Sequence, residues 1–378
     1  MTAISADRPA TRLATRLAFL ATGIALSCWA PLVPFAKARL GVDDGQLGLL
    51  LLCLGFGSIL AMPVTGMLSA RLGARPMILL GGIGAGLSLP VLACAGSPAS
   101  LGTALLGFGA SIGTLDVAIN AHAVEVEAAA KRPLMSGFHA LFSIGGFAGS
   151  GGITLLLSLG TAPLPAAICW GVLTLAIVGG ASGGLLRIKA AASAAAFAFP
   201  RGIVLLIAGL TAVTFLIEGA ILDWSALLIT TADIVPPSQG GLGYMLFSIA
   251  MTAGRLLGDA IVARLGPRRV LIVGGLIAVA GFVVLLAVPL RPLAMAGFLL
   301  IGLGAANLVP VLFSAAGRQH TMPPALAIAA VTTTGYAGIL AGPAAVGFVA
   351  QAVGLTASFW LLAALMCLVP LLARPAAR

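Results

Sequence analysis

Charge is what this sequence has least of. Only 8% of its 378 residues are Asp, Glu, Lys or Arg, against about a quarter in a soluble globular chain, so no folded surface facing water can be covered by them. Acids are scarcer still, with 10 Asp and Glu against 20 Lys and Arg and a net charge of +10. A nucleic-acid groove would need clustered cations with interleaved aromatics, whereas these cations stand singly between apolar stretches. The five cysteines, Cys28, Cys53, Cys94, Cys169 and Cys367, fall inside apolar stretches without CxxC or metal-ligand spacing; they read as small packing residues. No P-loop and no HExxH is present, which removes ATP-driven pumping and zinc hydrolysis. No Ser/His or Asp/Asp pair has a recognisable catalytic context, so an intramembrane enzyme is the weakest function class. Neither cofactor nor metal is expected. Four Trp and 2 Tyr are a modest aromatic supply that fits a sugar-like or small amphipathic solute.

What is present is apolar, 60% of the chain, in successive stretches of roughly 20 residues, the length of helix that crosses about 30 Å of hydrocarbon. Lipid is therefore the solvent, and in lipid only helices and closed barrels satisfy the backbone. The stretches are too long and too uniformly apolar for barrel strands. Arg8, Arg12 and Arg16 precede an apolar run to Phe35 with no A-x-A site, which reads as an uncleaved first helix. Breaks at charges, Pro and Ser/Gly clusters mark helices near 16–36, 46–70, 77–95, 100–123, 134–158 and 165–186. A second set lies near 202–229, 241–263, 270–289, 294–316, 325–349 and 355–372. With both termini cytoplasmic, all Lys and Arg except Lys37, Arg39, Arg255 and Arg291 fall on the inner side, as the positive-inside rule requires.

An internal repeat orders these twelve segments. Arg71-Leu72-Gly73-Ala74-Arg75 returns 193 residues later as Arg264-Leu265-Gly266-Pro267-Arg268, followed at the same spacing by Gly81-Gly82 and Gly274-Gly275. A weaker echo links Gly146-Phe147-Ala148-Gly149 to Gly335-Tyr336-Ala337-Gly338. Both Arg loops lie on the positive side, so each half has an even number of helices. This gives an N-terminal six-helix bundle over 1–186, a short Ala-rich cytoplasmic linker over 187–201, and a C-terminal bundle over 202–378. The run Gly81-Gly82-Ile83-Gly84-Ala85-Gly86 lacks the strand and downstream acid of a dinucleotide loop and reads as small-residue helix packing.

Gly66-Met67-Leu68-Ser69-Ala70-Arg71-Leu72-Gly73-Ala74-Arg75 resembles the major facilitator signature G-x-L-a-D-r-x-G-r-r, departing from it at Ala70 where the family has Asp. Asp259 in the second half is a possible substitute at another motif position. The stretches 29–35, around Trp29, 218–225 and 307–314 are similar to the YbjJ-like branch of that family. The resemblance covers nearly the whole chain. It implies an all-α polytopic membrane protein of twelve transmembrane helices in two pseudo-symmetric six-helix bundles, in which helices 1, 4, 7 and 10 line a central cavity. The acid and amide on the fourth helix are more distantly similar to proton-coupled sugar permeases of the fucose type.

An ionisable group at membrane depth costs at least about 2.5–3.5 kcal/mol on insertion scales and so reads as functional or partnered. With about 100° of rotation per residue, Gly109, Gly113, Asp116, Asn120 and Glu127 share one face, and Thr211, Thr214, Glu218 and Ser225 another. Asp116, Asn120, Glu218 and Asn307 are therefore the substrate or proton candidates, with interhelical hydrogen bonding the alternative for the two amides. Neither acid has a cation within four residues. Asp223 beside Trp224 reads as a solvated acid and aromatic anchor at the outer end of its helix, and is a secondary site candidate together with His139 and Trp29. His122 points away from the Asp116 face. Arg255 and Asp259 stand four apart and can pair on one helix; with Arg71, Arg75, Arg264 and Arg268 they form the gating set.

The reading is a secondary transporter of the bacterial cytoplasmic (inner) membrane. It moves a small solute by alternating access as a monomer, with a proton as the candidate coupling ion. A receptor or membrane scaffold is the alternative.

Overall fold

The computed structural model describes residues 8–130, 134–186, 199–288 and 290–376, with the side chains of Ala70, Ser136, Asp259, Pro324, Ala325 and Ala329 left aside. Most of the 187–201 linker expected from the sequence therefore lies outside the described residues.

The described chain is helical throughout. Helices α1 (Pro9–Cys28), α2 (Val33–Leu40), α3 (Asp44–Leu72), α4 (Ala74–Cys94), α5 (Pro98–Ala130), α6 (Met135–Ser158) and α7 (Pro163–Ala181) precede the linker. After it come α8 (Ile203–Thr231), α9 (Leu242–Leu256), α10 (Gly258–Leu265), α11 (Pro267–Ala287), α12 (Arg291–Ala305), α13 (Leu308–Arg318), α14 (Pro324–Val353) and α15 (Leu355–Met366), with two short turns to Ala376. Among the described residues, ten segments are long and apolar enough to cross a membrane. The remaining two expected helices are α9 with α10, interrupted at Leu257, and the shorter apolar stretch Leu355–Leu371. Helix ends overshoot the expected boundaries, as where the first begins at Pro9 rather than near 16. Apolar length marks the hydrocarbon, and a helix need not stop at its edge.

Contacts divide the chain into two compact units: Met1–Val42 with Leu50–Ser193 and Pro236–Met245, and Asp43–Leu49 with Ala194–Val235 and Leu246–Arg378. Two short segments thus group away from their sequence neighbours. In the second unit Gly48 lies against the α14 backbone, where a Cβ would stand 2.9 Å from the Pro343 oxygen. In the first, Ser150 donates to the Gly241 carbonyl at 2.9 Å.

The internal repeat is legible in each unit's own packing. Helices α4 and α11 both have 21 residues, and each follows a glycine of positive φ, Gly73 at 91° and Gly266 at 77°, a turn that costs L side chains steric strain. A Cβ on Gly81 would press on Ser111 and Leu115 of α5, and one on Gly274 on Gly304 and Leu308 of α12 and α13. Gly82 is filled against Val178 of α7, and Gly275 against Pro370. The Gly146/Gly335 echo has its own packing counterpart, since a Cβ on Gly149 would press on the Ile24 backbone and one on Gly338 on that of Ala212. Gly145, whose Cβ would collide with the Leu20 carbonyl, also stands 193 residues before Gly338, the spacing of the Arg loops. Small residues let backbones approach where lipid offers no hydrophobic drive, so it is the packing register that fixes the repeat.

Candidate functional site

On α5 in the first unit, Asn120 Nδ2 donates to the backbone oxygen of Asp116 at 2.8 Å and to its carboxylate at 3.2 Å. Acid and amide one turn apart thus form a half-buried polar pair. Glu127, on the same face, does something else. Its Oε2 accepts the N–H groups of Leu134 at 2.6 Å and Met135 at 2.7 Å, satisfying donors that the start of α6 would otherwise leave open. Glu127→Ala should lower the melting temperature of the purified protein, and Glu127→Gln, which keeps one acceptor oxygen, should lower it less.

His122 is buried and held from both sides. Nε2 accepts the Leu186 N–H at 2.9 Å, so the ring proton sits on Nδ1, facing Thr15 Oγ1 at 3.3 Å, while Thr15 donates its own proton to the Thr11 carbonyl. This histidine ties α1, α5 and the end of the first bundle. His139 is exposed and sets its ring edge on Phe19, with centroids 5.1 Å apart. Trp29 is fully buried, its Nε1 without a partner among the described residues. Arg75 donates Nε to the Ser182 carbonyl at 3.0 Å, closing the C-terminal end of α7 where a cation is favoured. Arg71, Arg264 and Arg268 are exposed.

The second unit gathers Glu218, Arg255 and Asn307. Arg255 Nη2 lies 3.4 Å from Glu218 Oε2, the side chains being 34% and 20% exposed. Sequence spacing pairs Arg255 with Asp259; in the structure the helix is interrupted at Leu257, between the two, and Arg255 reaches across to α8. The Asp259 side chain lies outside the described residues. Nor is Glu218 the unneutralised acid its sequence neighbourhood implies, although its Oε1 is buried without a hydrogen-bond partner among the described residues. Asn307 stands at the break between α12 and α13. Its Nδ2 donates to the Gly254 carbonyl at 3.0 Å, and its Oδ1 fills the space that a Cβ on Gly258 would take. Consecutive residues of α9 thus hold the amide and the acid.

Two readings of α8 change. Asp223 is 7% exposed and Trp224 fully buried, so neither is a solvated anchor; Gly347 of α14 makes room for the indole, 3.1 Å from where its Cβ would be. Ser225 differs from the threonines around it. Thr211, Thr214, Thr230 and Thr231 of this helix all bond backbone carbonyls four residues back, while the buried Ser225 hydroxyl has no hydrogen-bond partner among the described residues. Periodicity places a serine on a face but cannot tell where its proton goes.

No protein-family model matches the chain. It is 50% identical over 368 residues to an uncharacterised major facilitator-type transporter of Yersinia pestis, covering 97% of this chain and 96% of that protein. The chain belongs to the major facilitator superfamily. An uncharacterised transporter of Sinorhizobium fredii is 34% identical, covering 94% of this chain and 95% of its own length. A membrane protein of Rhizobium meliloti, MosC, is 30% identical over 91% and 85%. The fold agrees: the nucleoside transporter NupG superposes with a TM-score of 0.76 at 15% identity, covering 98% of this chain and 99% of its own. A bacterial homologue of the human lysosomal transporter Spinster does so at 0.75 and 13%, covering 98% and 97%. This major facilitator protein is a multi-pass membrane transporter rather than an enzyme. The chain carries two GxSxG strings, Gly109–Gly113 and Gly180–Gly184. They lack the strand-to-helix turn of a nucleophile elbow, and Ser111 and Ser182 donate to the carbonyls of Gly107 and Gly179.

Proposed function

We propose that the protein is a secondary active transporter that couples a small polar solute to a proton through the Glu218–Arg255 pair, by alternating access. The observation that carries this is a carboxylate with one oxygen on a guanidinium and the other buried without a hydrogen-bond partner among the described residues, in a chain with only 10 acids. Protonating Glu218 removes the charge that holds Arg255 and leaves both side chains with hydrogen-bonding capacity for a ligand. Ser225, two turns along the same face, supplies a further hydroxyl. In the first unit the Asp116–Asn120 pair offers acceptor and donor groups that suit a hydroxylated solute of the sugar type. Asn307 positions α9 rather than touching the solute. Sixth and seventh helices joined by a cytoplasmic linker, both termini in the cytoplasm of a bacterial inner membrane and action as a monomer complete the reading, with Arg71, Arg75, Arg264 and Arg268 at the gating face.

The test begins with a thermal-shift screen of the purified protein across sugars, organic acids and amphipathic drugs, followed by uptake of each hit into liposomes. A hit that stabilises the parent and is accumulated supports transport of that class. Stabilising ligands that never cross the bilayer would favour a receptor instead.

A further inference from the structure

Apart from the polar groups discussed above, the second unit holds a cavity of about 350 Å³, within the size range of small-ligand pockets. It sits where α8 and α11 end and α12 and α15 begin, and its lining includes Leu228, Asp233, Leu286, Val288, Arg291 and Thr356. Asp233 breaks two local rules. It occupies the left-handed position just past the end of α8, at φ 52°, where the Ile234 N–H bonds the Ile229 carbonyl at 2.9 Å and the Asp233 N–H the Thr230 carbonyl at 3.4 Å. Glycine is the usual residue of that closing motif, and every other described residue with positive φ in this chain is glycine. A carboxylate there also faces the negative end of the helix dipole. Such inconsistencies concentrate at functional positions. Arg291 brings the opposite charge to the same cavity, yet no hydrogen bond or ion pair joins the two among the described residues.

We propose that this cavity binds a zwitterionic headgroup of the phosphoethanolamine kind, with its phosphate on Arg291 and its ammonium on Asp233. A guanidinium matches phosphate in a bidentate fork, and a carboxylate accepts from a primary ammonium, which a quaternary one cannot provide. A membrane lipid is the favoured source because the other lining side chains, Thr356 apart, are apolar and the cavity lies at the ends of spanning helices, the level of headgroups.

The test is the melting temperature of the full-length protein in detergent, titrated with dioleoylphosphatidylethanolamine, dioleoylphosphatidylcholine or free glycerophosphoethanolamine. The parent should gain about 2 °C or more with the ethanolamine lipid, less with the choline lipid and little with the free headgroup. Arg291→Gln and Asp233→Asn should lose that gain. Asp233→Gly is the decisive variant: by relieving the backbone it should melt higher than the parent without lipid, yet show no lipid-dependent gain. An equal gain in parent and variants, or no preference for ethanolamine over choline, would overturn the site. A gain from the free headgroup as large as from the lipid would overturn the lipid assignment.

Discussion

Glu218→Gln is expected to abolish accumulation of substrate while leaving exchange between equal concentrations largely intact. One coupled proton moving down a gradient of one pH unit carries about 1.4 kcal/mol, enough for roughly tenfold accumulation. The parent should approach that ratio in proteoliposomes, and the variant should stay near one. Glutamine keeps the shape and one acceptor for Arg255 but cannot titrate, so the loss isolates the proton. Removing the other partner should act on stability instead: Arg255→Ala leaves a carboxylate without its cation and should cost about 1–3 kcal/mol. Because the two residues share one interaction, Glu218→Gln combined with Arg255→Ala should cost less than the sum of the singles. Additive costs would mean that the 3.4 Å pair contributes nothing. Asp116→Asn, measured in the same uptake assay, asks whether the first unit's acid shares the task.

Gly145→Val and Gly338→Val should each be severely destabilising, by about 1–3 kcal/mol or more. A side chain at Gly145 would collide with the Leu20 carbonyl and one at Gly338 with the Ala212 carbonyl. Both obstacles are backbone, so no rotamer change relieves them, and α1 must separate from α6, or α8 from α14. Gly179→Val is the control, because nothing lies within 4 Å of a Cβ there. Thermal unfolding of the three variants, followed by tryptophan fluorescence in detergent, should leave the control near the parent and shift the other two together. A control that falls as far as they do would contradict the repeat in packing.

The fold was legible because lipid imposes a coarse and strict code. Apolar runs of spanning length, cations on one side and an Arg loop repeated 193 residues apart are visible without any side-chain geometry. Register was harder: glycine is so abundant, at 50 residues, that both Gly145 and Gly149 face the α1 backbone and either can be aligned with Gly338. The polar groups were legible as a set but not as pairs. Periodicity found Asp116 with Asn120 because their bond lies within one helix. It joined Arg255 to Asp259 by the same logic but had no means of finding Glu218, on another helix and 37 residues earlier, as a partner of Arg255. The face that groups Glu127 with Asp116 and Asn120 says nothing about the neighbouring helix start that Glu127 caps. Asp223 and Trp224 looked like surface residues because sequence gives depth along a helix more readily than burial around it.

Proton movement is the most direct test of the account. With the first ligand identified by thermal shift, purified parent protein in lightly buffered liposomes should take up protons when that ligand is added outside, at a fixed ratio to ligand entry. Glu218→Gln should abolish the proton signal. Ligand entry in the parent with no accompanying pH change, or a proton signal undiminished in Glu218→Gln, would contradict the proposal that this pair couples the proton to transport.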